Sequence, residues 1–554
     1  MAGLLDNLNP EQLAAVTLPA QHALVLAGAG SGKTRVLTTR IAWLISTGNV
    51  GPHGVLAVTF TNKAAREMLT RIGAMLPINL RGMWIGTFHG LCNRMLRAHF
   101  RDAGLPQTFA ILDSGDQLAV VKRVMKSMNV DEDRFPPRQV AWFIAAAKEE
   151  GKRAPQVEVY DEFSRKHQEL YAAYDELCQK EGTVDFAELL LRSFELLARN
   201  EGIRLHYQSR FRHILVDEFQ DTNRLQYRWL KVLCSPHTAM FAVGDDDQSI
   251  YRFRGANVGN MADFERDFAV KNLIRLEQNY RSGGHILDSA NGLIAHNERR
   301  LGKNLRTDAG AGEPVRVHES TSDYAEAQWV LEELQQLHRG GMARAETALL
   351  YRSNAQSRVL ESALFNAGVP YRVYGGLRFF ERAEVKHALA YLRLIENAGD
   401  DTSFLRVVNF PARGIGARSI EQLQDAAKAG KVSLYGTAKQ GGKAAAFAAL
   451  VDKLKAACEG LTLPETVEQV LELSGLRAHY RTEKEGQDRL ANLDELVNAA
   501  ENFVAEEGSA DAEGELSGDL AAFLSHASLE AGEHQAGEGD DALQLMTVHS
   551  AKGL

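Results

Sequence analysis

The sequence is poor in cysteine and has no apolar run long enough to cross a membrane. Its four cysteines, Cys92, Cys178, Cys234 and Cys458, lie far apart and lack the close pairing of zinc or redox motifs. We therefore expect them to be reduced core residues. The amino terminus shows no basic segment followed by an apolar one, as a secretory signal would. These absences exclude an integral membrane protein and make the cytoplasm the expected compartment, with no membrane partner.

An excess of positive charge is also missing. The chain has 63 Lys and Arg against 72 Asp and Glu, a net charge of −9. This balance argues against binding nucleic acid through overall charge, but it is compatible with a basic channel on an acidic surface. What is present is an ordinary globular composition, and the length predicts about three to four domains.

A glycine-rich loop, Ala27-Gly-Ala-Gly-Ser-Gly-Lys33-Thr34, lies between an apolar run and a helical stripe. Gly28, Gly30 and Gly32 let backbone N–H groups turn toward phosphate oxygens, and the following helix presents its positive end. Lys33 is then placed to hold terminal phosphates and Thr34 to hold Mg²⁺. The strict pattern has glycine where Ala27 stands, so a plain glycine-rich turn is the alternative.

Gln12 precedes this loop, near the start of a helix that Asn9 caps and Pro10 opens. A glutamine amide can pair with the N6 and N7 edge of adenine, which would select ATP. The alternative is a plain surface residue.

Apolar strands alternate with helical segments after the loop, which predicts a doubly wound parallel sheet with functional groups at its carboxyl edge. One strand runs from Val55 and ends near Phe60, before a helix from about Ala64. Another starts at Met83 and ends at Phe88 and His89. These aromatic residues are either site residues or core.

Two adjacent carboxylates, Asp217 and Glu218, follow the strand that starts at His213. Nucleotide hydrolysis requires one carboxylate on Mg²⁺, here Asp217, and a second that orients and deprotonates water, here Glu218. The alternative is that both acids only cap the strand end.

The next two strands also end in polar and aromatic residues. After the strand that begins at Met240, Gln248 is placed to sense a terminal phosphate. Tyr251, Phe253 and Arg254 follow it, and such residues stack bases and hold a single-stranded backbone. After Leu276, Tyr280 is placed to stack on adenine and Arg281 to neutralise charge on the γ-phosphate.

Assembled in order, these segments resemble the superfamily 1 DNA helicases of the UvrD/Rep/PcrA type, and most of all their UvrD branch. The resemblance covers nearly the whole chain. It rests on the motifs AGAGSGKT, AVTFTNKAA, GTFHG, VDEFQD, GDDDQSIYRFRGA, LEQNYRS, LLYRSNAQSR and MTVHSAKGL.

The resemblance implies an α/β fold with two RecA-like parallel-sheet motor domains, the second incomplete, and two helical insertion domains. ATP and Mg²⁺ bind between the motors. The implied boundaries are 1–110 and 200–280 for motor 1A, 111–199 for insertion 1B, 281–377 and 543–554 for motor 2A, and 378–542 for insertion 2B.

The resemblance also assigns site residues. The ATP set it implies comprises Gln12, Lys33, Thr34, Arg35, Asp217, Glu218, Gln248, Tyr280 and Arg281. The single-stranded DNA set comprises Phe60, Phe186, Tyr251, Phe253 and Arg254. Local sequence alone favours a plain amphipathic helix start at Phe186, and Phe253 stands where close relatives carry tryptophan.

The implied function is an ATP-dependent 3′–5′ DNA helicase and translocase in DNA repair. It would act on single-stranded DNA and on single-strand/duplex junctions, with UvrB-like and MutL-like partners, in the cytoplasm at the nucleoid. The sequence ends at Leu554, in the start of motif V, so we expect a fragment without motif VI that is defective in unwinding.

Two other functions compete with this one. The first is a non-motor module that binds DNA or a repair partner without effective ATP turnover. The second is a small-molecule kinase, which leaves the aromatic and basic segment from Tyr251 to Arg254 unexplained.

Overall fold

The structure is a computed structural model. It describes residues 3–132, 134–252, 255–298, 300–352, 356, 359–360, 363–364, 367–374, 380, 382–482, 486–507, 520–530 and 541–552. Phe253 and Arg254 of the predicted DNA set lie outside these residues.

The described strands are numbered in chain order. They are β1 (Ala23–Ala27), β2 (Val55–Thr59), β3 (Trp84–Thr87), β4 (Ala110–Ile111), β5 (Thr183–Val184), β6 (His213–Val216), β7 (Ala239–Gly244), β8 (Asn272–Leu276), β9 (Ala348–Tyr351), β10 (Tyr371–Tyr374) and β11 (Leu543–Thr547).

The described helices that precede β9 are α1 (Pro10–Thr17), α2 (Lys33–Ser46), α3 (Asn62–Met75), α4 (Phe88–Ala98), α5 (Ser114–Ser127), α6 (Pro137–Glu149), α7 (Glu162–Glu181), α8 (Phe186–Arg199), α9 (Glu201–Arg210), α10 (Arg224–Leu233), α11 (Gly259–Asp267), α12 (Gly284–Ile294) and α13 (Asp323–Arg339). Those that follow it are α14 (Ala383–Glu396), α15 (Asp401–Val407), α16 (Ala417–Gly430), α17 (Leu434–Lys439), α18 (Ala445–Ala457), α19 (Leu463–Leu473), α20 (Leu476–Tyr480), α21 (Gly486–Glu507), α22 (Leu520–Glu530) and α23 (Val548–Ala551). Among the described helices, none combines the length and the apolar character that crossing a membrane requires.

A six-stranded sheet with the order β3-β2-β6-β7-β1-β8 organises the first part of the chain. All of its neighbouring strands are parallel. Strands β1, β2, β6 and β7 are buried throughout, because helices cover both faces of the sheet. This arrangement explains their continuous apolar sequences and confirms the predicted doubly wound parallel sheet.

The strand order brings the predicted motifs to one edge of this sheet. In a parallel sheet all carboxyl ends lie on the same side, and ligands bind there where neighbouring connections diverge. β1 pairs with both β7 and β8, and β7 also pairs with β6. The glycine-rich loop, Asp217 and the segment after Gly244 therefore emerge side by side.

Local sequence explains where several helices begin. Asn9 caps α1 in a capping box with Gln12, as predicted. α3 begins at Asn62 rather than near Ala64, because the Thr61 hydroxyl accepts the Ala64 N–H at 3.1 Å. α8 begins at Phe186, capped by Asp185, which confirms the predicted helix start.

Helices dominate between β4 and β6, where α5, α6 and α7 enclose a core of their own that includes Leu170, Tyr171 and Tyr174. β4 and β5 add a short parallel pair. Residues 111–199, which the resemblance assigns to a helical insertion, are thus mainly helical.

A second parallel sheet has the order β10-β11-β9. The chain leaves it after β10, forms the helices from α14 to α22 around a separate core, and returns as β11. The α/β fold class is thereby confirmed. The segment from Val315 to His318, within the residues that the resemblance assigns to motor 2A, is irregular, and Val317 is 94% exposed. The domain boundaries drawn from the resemblance stay predictions.

Candidate functional site

The glycine-rich loop joins β1 to α2 with two residues in the left-handed region. Gly30 has φ 68° and Gly32 has φ 88°, conformations that favour glycine. A Cβ on Gly30 would lie 2.7 Å from both Arg281 Cβ and Asn279 Nδ2. The loop therefore needs glycine at this position for its backbone and for its neighbours.

Three donors hold successive carbonyl oxygens of the loop. Asn279 Nδ2 donates to Ala29 O at 2.5 Å, the Tyr280 N–H to Gly30 O at 2.9 Å, and Gln12 Nε2 to Ser31 O at 2.9 Å. Because the N–H of a peptide points opposite to its carbonyl, the N–H groups of Gly30 and Gly32 point to the other side of the loop, as an anion site requires. The Ser31 N–H instead donates to Gly28 O at 3.3 Å. The loop is thus fixed in a shape suited to phosphate.

Lys33, the first residue of α2, points to the carboxylates that follow β6. Its Nζ lies 3.0 Å from Glu218 Oε1. Burial lowers the pKa of Lys33, but the charges of Glu218, Asp245 and Asp217 outweigh burial and raise it above its ordinary value. Lys33 is therefore a cation at neutral pH.

Asp217 and Glu218 are adjacent but electrostatically different. Asp217 is 5% exposed, and burial together with the charge of Glu218 raises its pKa to about 7. Burial also favours the protonated form of Glu218, but Lys33 and a hydrogen bond from Gln220 bring its pKa below the ordinary value. Glu218 has φ 47°, a left-handed conformation that is uncommon for a residue with a side chain.

Mg²⁺ fits the donors at this position. Asp217 is a buried carboxylate, and its Oδ2 has the Thr59 hydroxyl at 3.5 Å. Thr34 lies half-buried in the first turn of α2. Carboxylate and hydroxyl oxygens are ligands that Mg²⁺ prefers, and a divalent ion would offset the charge that raises the Asp217 pKa.

Gln220 and Asp245 belong to the site, although sequence reasoning assigned neither. Gln220 is fully buried, its Nε2 donates to Glu218 Oε2 at 2.6 Å, and its Oε1 accepts the Asp245 N–H at 2.9 Å. Asp245 Oδ2 in turn accepts a hydrogen bond from Gln248 Nε2. Glu218 and Gln248 are therefore connected through two buried groups. Both missed residues stand inside the quoted motifs, which was the available signal.

The remaining residues of the predicted ATP set lie around the glycine-rich loop. Gln12 is 1% exposed, so the alternative that it is a plain surface residue is wrong. Both ends of its amide are engaged, since Oε1 also accepts the Asn9 N–H at 3.2 Å. Tyr280 is 60% exposed, and its hydroxyl accepts from Asn9 Nδ2 at 2.9 Å. Arg35 and Arg281 are exposed beside the loop.

Aromatic side chains line the same edge of the sheet beyond β2 and β3. Phe60 packs edge-on against Phe88 with ring centroids 5.8 Å apart, and His89 packs against Phe186 at 5.8 Å. Phe88 is buried core, whereas Phe60, His89 and Phe186 are half-buried. Burial lowers the pKa of His89 to about 4, so it is neutral at neutral pH.

A buried ionic network supports Phe186. Asp185 Oδ1 accepts the Glu188 N–H at 2.7 Å, and its Oδ2 accepts from Lys148 Nζ at 3.0 Å and from the Tyr174 hydroxyl at 2.8 Å. Burial lowers the pKa of Lys148, but the nearby carboxylates outweigh burial and raise it. Sequence reasoning missed this network because its members come from three helical segments.

Tyr251 links the two sheets. Its hydroxyl donates to His549 O at 3.0 Å, and Lys552 Nζ lies 4.9 Å from its ring centroid. Lys552 also contacts Asp221 Oδ2 at 2.5 Å and the carbonyl of Gln248. The segment after β11 therefore reaches the residues that follow β6 and β7.

Comparisons with known proteins agree over the whole chain. The UvrD/REP helicase N-terminal domain family matches residues 8–269, and the UvrD-like helicase C-terminal domain family matches residues 274–554. DNA helicase II of Escherichia coli strain K12 is 50% identical over 565 residues, covering 100% of this chain and 78% of that protein. DNA helicase II of Haemophilus influenzae strain Rd is 47% identical, covering 100% and 77%. The ATP-dependent DNA helicase PcrA of Bacillus subtilis strain 168 is 39% identical, covering 100% and 76%.

Proposed function

The chain belongs to the UvrD/REP helicase family, and on this premise we propose that it is an ATP-dependent DNA helicase that moves 3′ to 5′ along single-stranded DNA. The observation that carries the proposal is one connected site. Lys33 and Glu218 are 3.0 Å apart, and Glu218 is connected through Gln220 and Asp245 to Gln248. Tyr251, three residues after Gln248, begins the aromatic and basic segment that we assign to DNA binding.

Each nucleotide-site residue has a role that its environment supports. Lys33, held cationic, neutralises the terminal phosphates of ATP. Glu218 has a lowered pKa, so it is a carboxylate at neutral pH. It can therefore orient the attacking water and accept a proton from it. Gln248 senses the γ-phosphate, and Arg281 stabilises the charge that develops on it.

Mg²⁺ would be held by Asp217 and Thr34 and would neutralise charge on the β- and γ-phosphates. Thr59 and the Glu218 N–H orient the Asp217 carboxylate, at 3.5 Å and 3.0 Å respectively. Gln12, Arg35 and Tyr280 contact the nucleoside end of ATP.

Single-stranded DNA would pass along the carboxyl edge of the first sheet, where Phe60, Phe186 and Tyr251 offer half-buried rings for base stacking. We assign Phe253 and Arg254 to the same path from sequence. Lys552 contacts both Tyr251 and the carbonyl of Gln248. A movement of Gln248 on γ-phosphate release would therefore be transmitted through Lys552 to Tyr251 on the DNA path.

The biological role we propose is DNA repair, on single-stranded DNA and at single-strand/duplex junctions, in the cytoplasm at the nucleoid. The family resemblance supports this role. UvrB-like and MutL-like proteins are the partners we expect from it.

Strand displacement by the protein tests the proposal. Fluorescently labelled duplexes carry a 3′ tail, a 5′ tail or no tail, with and without ATP. We expect ATP-dependent displacement of the 3′-tailed duplex. The Glu218→Gln variant should bind ATP and DNA but displace strands at least about a hundredfold more slowly, because it lacks the base.

The outcomes separate the competing functions. DNA binding without ATP-dependent displacement would favour the non-motor module. Displacement that requires a 5′ tail would refute the proposed direction. A rate of ATP hydrolysis that is the same with and without DNA would contradict the motor function.

A further inference from the structure

Three consecutive aspartates, Asp245, Asp246 and Asp247, follow β7 beside the nucleotide site. One oxygen from each lies within 4.8 Å of the others, a spacing that could hold a metal ion. A lysine ammonium is found there instead. Lys303 Nζ lies 2.5 Å from Asp245 Oδ1, 3.0 Å from Asp246 Oδ1 and 2.6 Å from Asp247 Oδ2.

Lys303 is a buried partner of this cluster. Its side chain is 2% exposed, and the side chains of Asp245 and Asp246 are 3% and 4% exposed. Arg300 adds a second cation at 2.7 Å from Asp247 Oδ2. Because neighbouring buried carboxylates repel one another, their geometry depends on the cation between them.

Asp245 connects Lys303 to the proposed γ-phosphate sensor. One of its carboxylate oxygens contacts Lys303, and the other accepts the amide of Gln248. Its N–H is held by Gln220, which also donates to Glu218. Lys303 therefore fixes the carboxylate that orients Gln248.

Lys303 lies on a segment that also touches the phosphate loop. Leu301 N–H donates to Asp246 Oδ2 at 2.7 Å, and Arg306 pairs with Gln278 in an isolated bridge. Leu305 Cδ2 would lie 2.2 Å from a Cβ on Gly28. The segment from Arg300 to Arg306 thus contacts both the glycine-rich loop and the segment from Asp245 to Gln248.

We propose that Lys303 is a positioning residue for ATP hydrolysis, a built-in counter-cation that occupies the aspartate cluster and holds Asp245 so that Gln248 faces the γ-phosphate. The inference rests on the proposed function, because it matters only if this site hydrolyses ATP.

Steady-state ATP hydrolysis by the protein, at saturating single-stranded DNA, tests this role. Lys303→Met should lower kcat about tenfold and leave KM for ATP within about twofold, because the nucleotide contacts of Lys33 and the loop are intact. Lys303→Arg should restore most of kcat, since it supplies the charge. Lys271→Met, at an exposed lysine, is the matched control and should behave as wild type.

A double-mutant cycle identifies the route. If Lys303 acts through Asp245, then Lys303→Met should change kcat by less than about twofold in an Asp245→Asn background. Circular dichroism melting shows whether each variant is folded. Should Lys303→Met not fold, Lys303→Gln keeps two donors without the charge, and the same kcat loss is expected of it.

Three results would overturn the role: an unchanged kcat in a folded Lys303→Met variant, a loss that Lys303→Arg does not relieve, or full additivity with Asp245→Asn. A wild-type protein that does not hydrolyse ATP would instead refute the proposed function itself, so the two failures are distinguishable.

Discussion

Asp217 and Glu218 are neighbours in sequence whose pKa values move in opposite directions. Burial and the charge of Glu218 raise the pKa of Asp217 to about 7, because together they outweigh the opposing charge of Lys33. Glu218 has Lys33 at 3.0 Å and the Gln220 amide, and its pKa falls. The sequence placed both acids after β6, but the difference between them comes from partners elsewhere in the chain.

Gln220 offers a direct test of this local network. Gln220→Leu removes the donor to Glu218 and the acceptor for the Asp245 N–H. We expect kcat for ATP hydrolysis to fall about tenfold, with KM little changed, because the base and the sensor lose their orientation.

The matched control is Gln226→Leu, at another buried glutamine whose amide belongs to the cap of α10. Gln226→Leu should lower the melting temperature about as much as Gln220→Leu does, but it should leave kcat near wild type. Equal kcat for the two variants would show that Gln220 has no special role.

Gly30 and Gly48 allow backbone strain to be separated from crowding. Both have positive φ, 68° and 74°, but only Gly30 has neighbours within 4 Å of an added Cβ. Gly48→Ala should lower the free energy of unfolding by about 1 kcal/mol, from backbone strain alone.

Gly30→Ala should lose more stability and weaken ATP binding by about tenfold, because its methyl group displaces Arg281 and Asn279. Urea unfolding and fluorescent nucleotide titration measure the two effects. Equal ATP affinity in both alanine variants would contradict the proposed role of this loop.

Among the elements, α5, α7 and α15 meet at a polar contact between the two helical regions. Arg123 on α5 forms a bidentate pair with Glu181 of α7 and donates to the Thr402 hydroxyl on α15. Asp401 lies beside them, and its Oδ1 accepts the Leu434 N–H at 2.8 Å. Burial and the charge of Glu181 raise the pKa of Asp401 to about 7.

This contact predicts a pH dependence of stability. The unfolded pKa of Asp401 is near 3.8 and the folded value about 7, so the folded state holds the proton more tightly between these values. The stability gained from the protonated form is complete below about pH 4 and is lost as pH rises through about 7. Glu181, Arg123 and Asp400 are the charged groups that act on Asp401 there.

Asp401→Asn should therefore raise the free energy of unfolding at pH 8 by about 1–2 kcal/mol and leave it unchanged near pH 4. Its side-chain oxygen can still accept the Leu434 N–H. Denaturant unfolding across this pH range measures the effect, with Asp425→Asn at an exposed position as control. A gain that is the same at both pH values would contradict the assignment.

Helices and strands were more predictable from the sequence than the contacts that their side chains make in the folded protein. Strands β1, β2, β6 and β7 are buried on both faces, so their sequences are continuous apolar runs that reveal them. The capping residue Asn9 revealed the start of α1, and the amphipathic pattern revealed the start of α8. Lys148 and Lys303 gave no such signal, because each is identified only by carboxylates that folding brings to it. Val315 and Val317 alternate with polar residues as in a strand, but within the described part of the chain they pair with no strand, and both are exposed.

At the scale of the whole molecule, the six-stranded sheet and the three-stranded sheet meet at the proposed nucleotide site. Lys552, after β11, contacts Asp221 after β6, and His549 accepts the Tyr251 hydroxyl. The family resemblance that the ordered motifs carry implied this architecture. They did not predict the contact between Lys552 and Asp221, because its partners are 331 residues apart.

The central claim is that ATP hydrolysis in this site is coupled to single-stranded DNA on the aromatic path. The rate of ATP hydrolysis by the protein, measured with and without single-stranded DNA, tests it most directly. We predict a stimulation of about tenfold or more that Glu218→Gln abolishes and that alanine at both Phe60 and Phe186 reduces. Hydrolysis at the same rate with and without DNA would contradict the account.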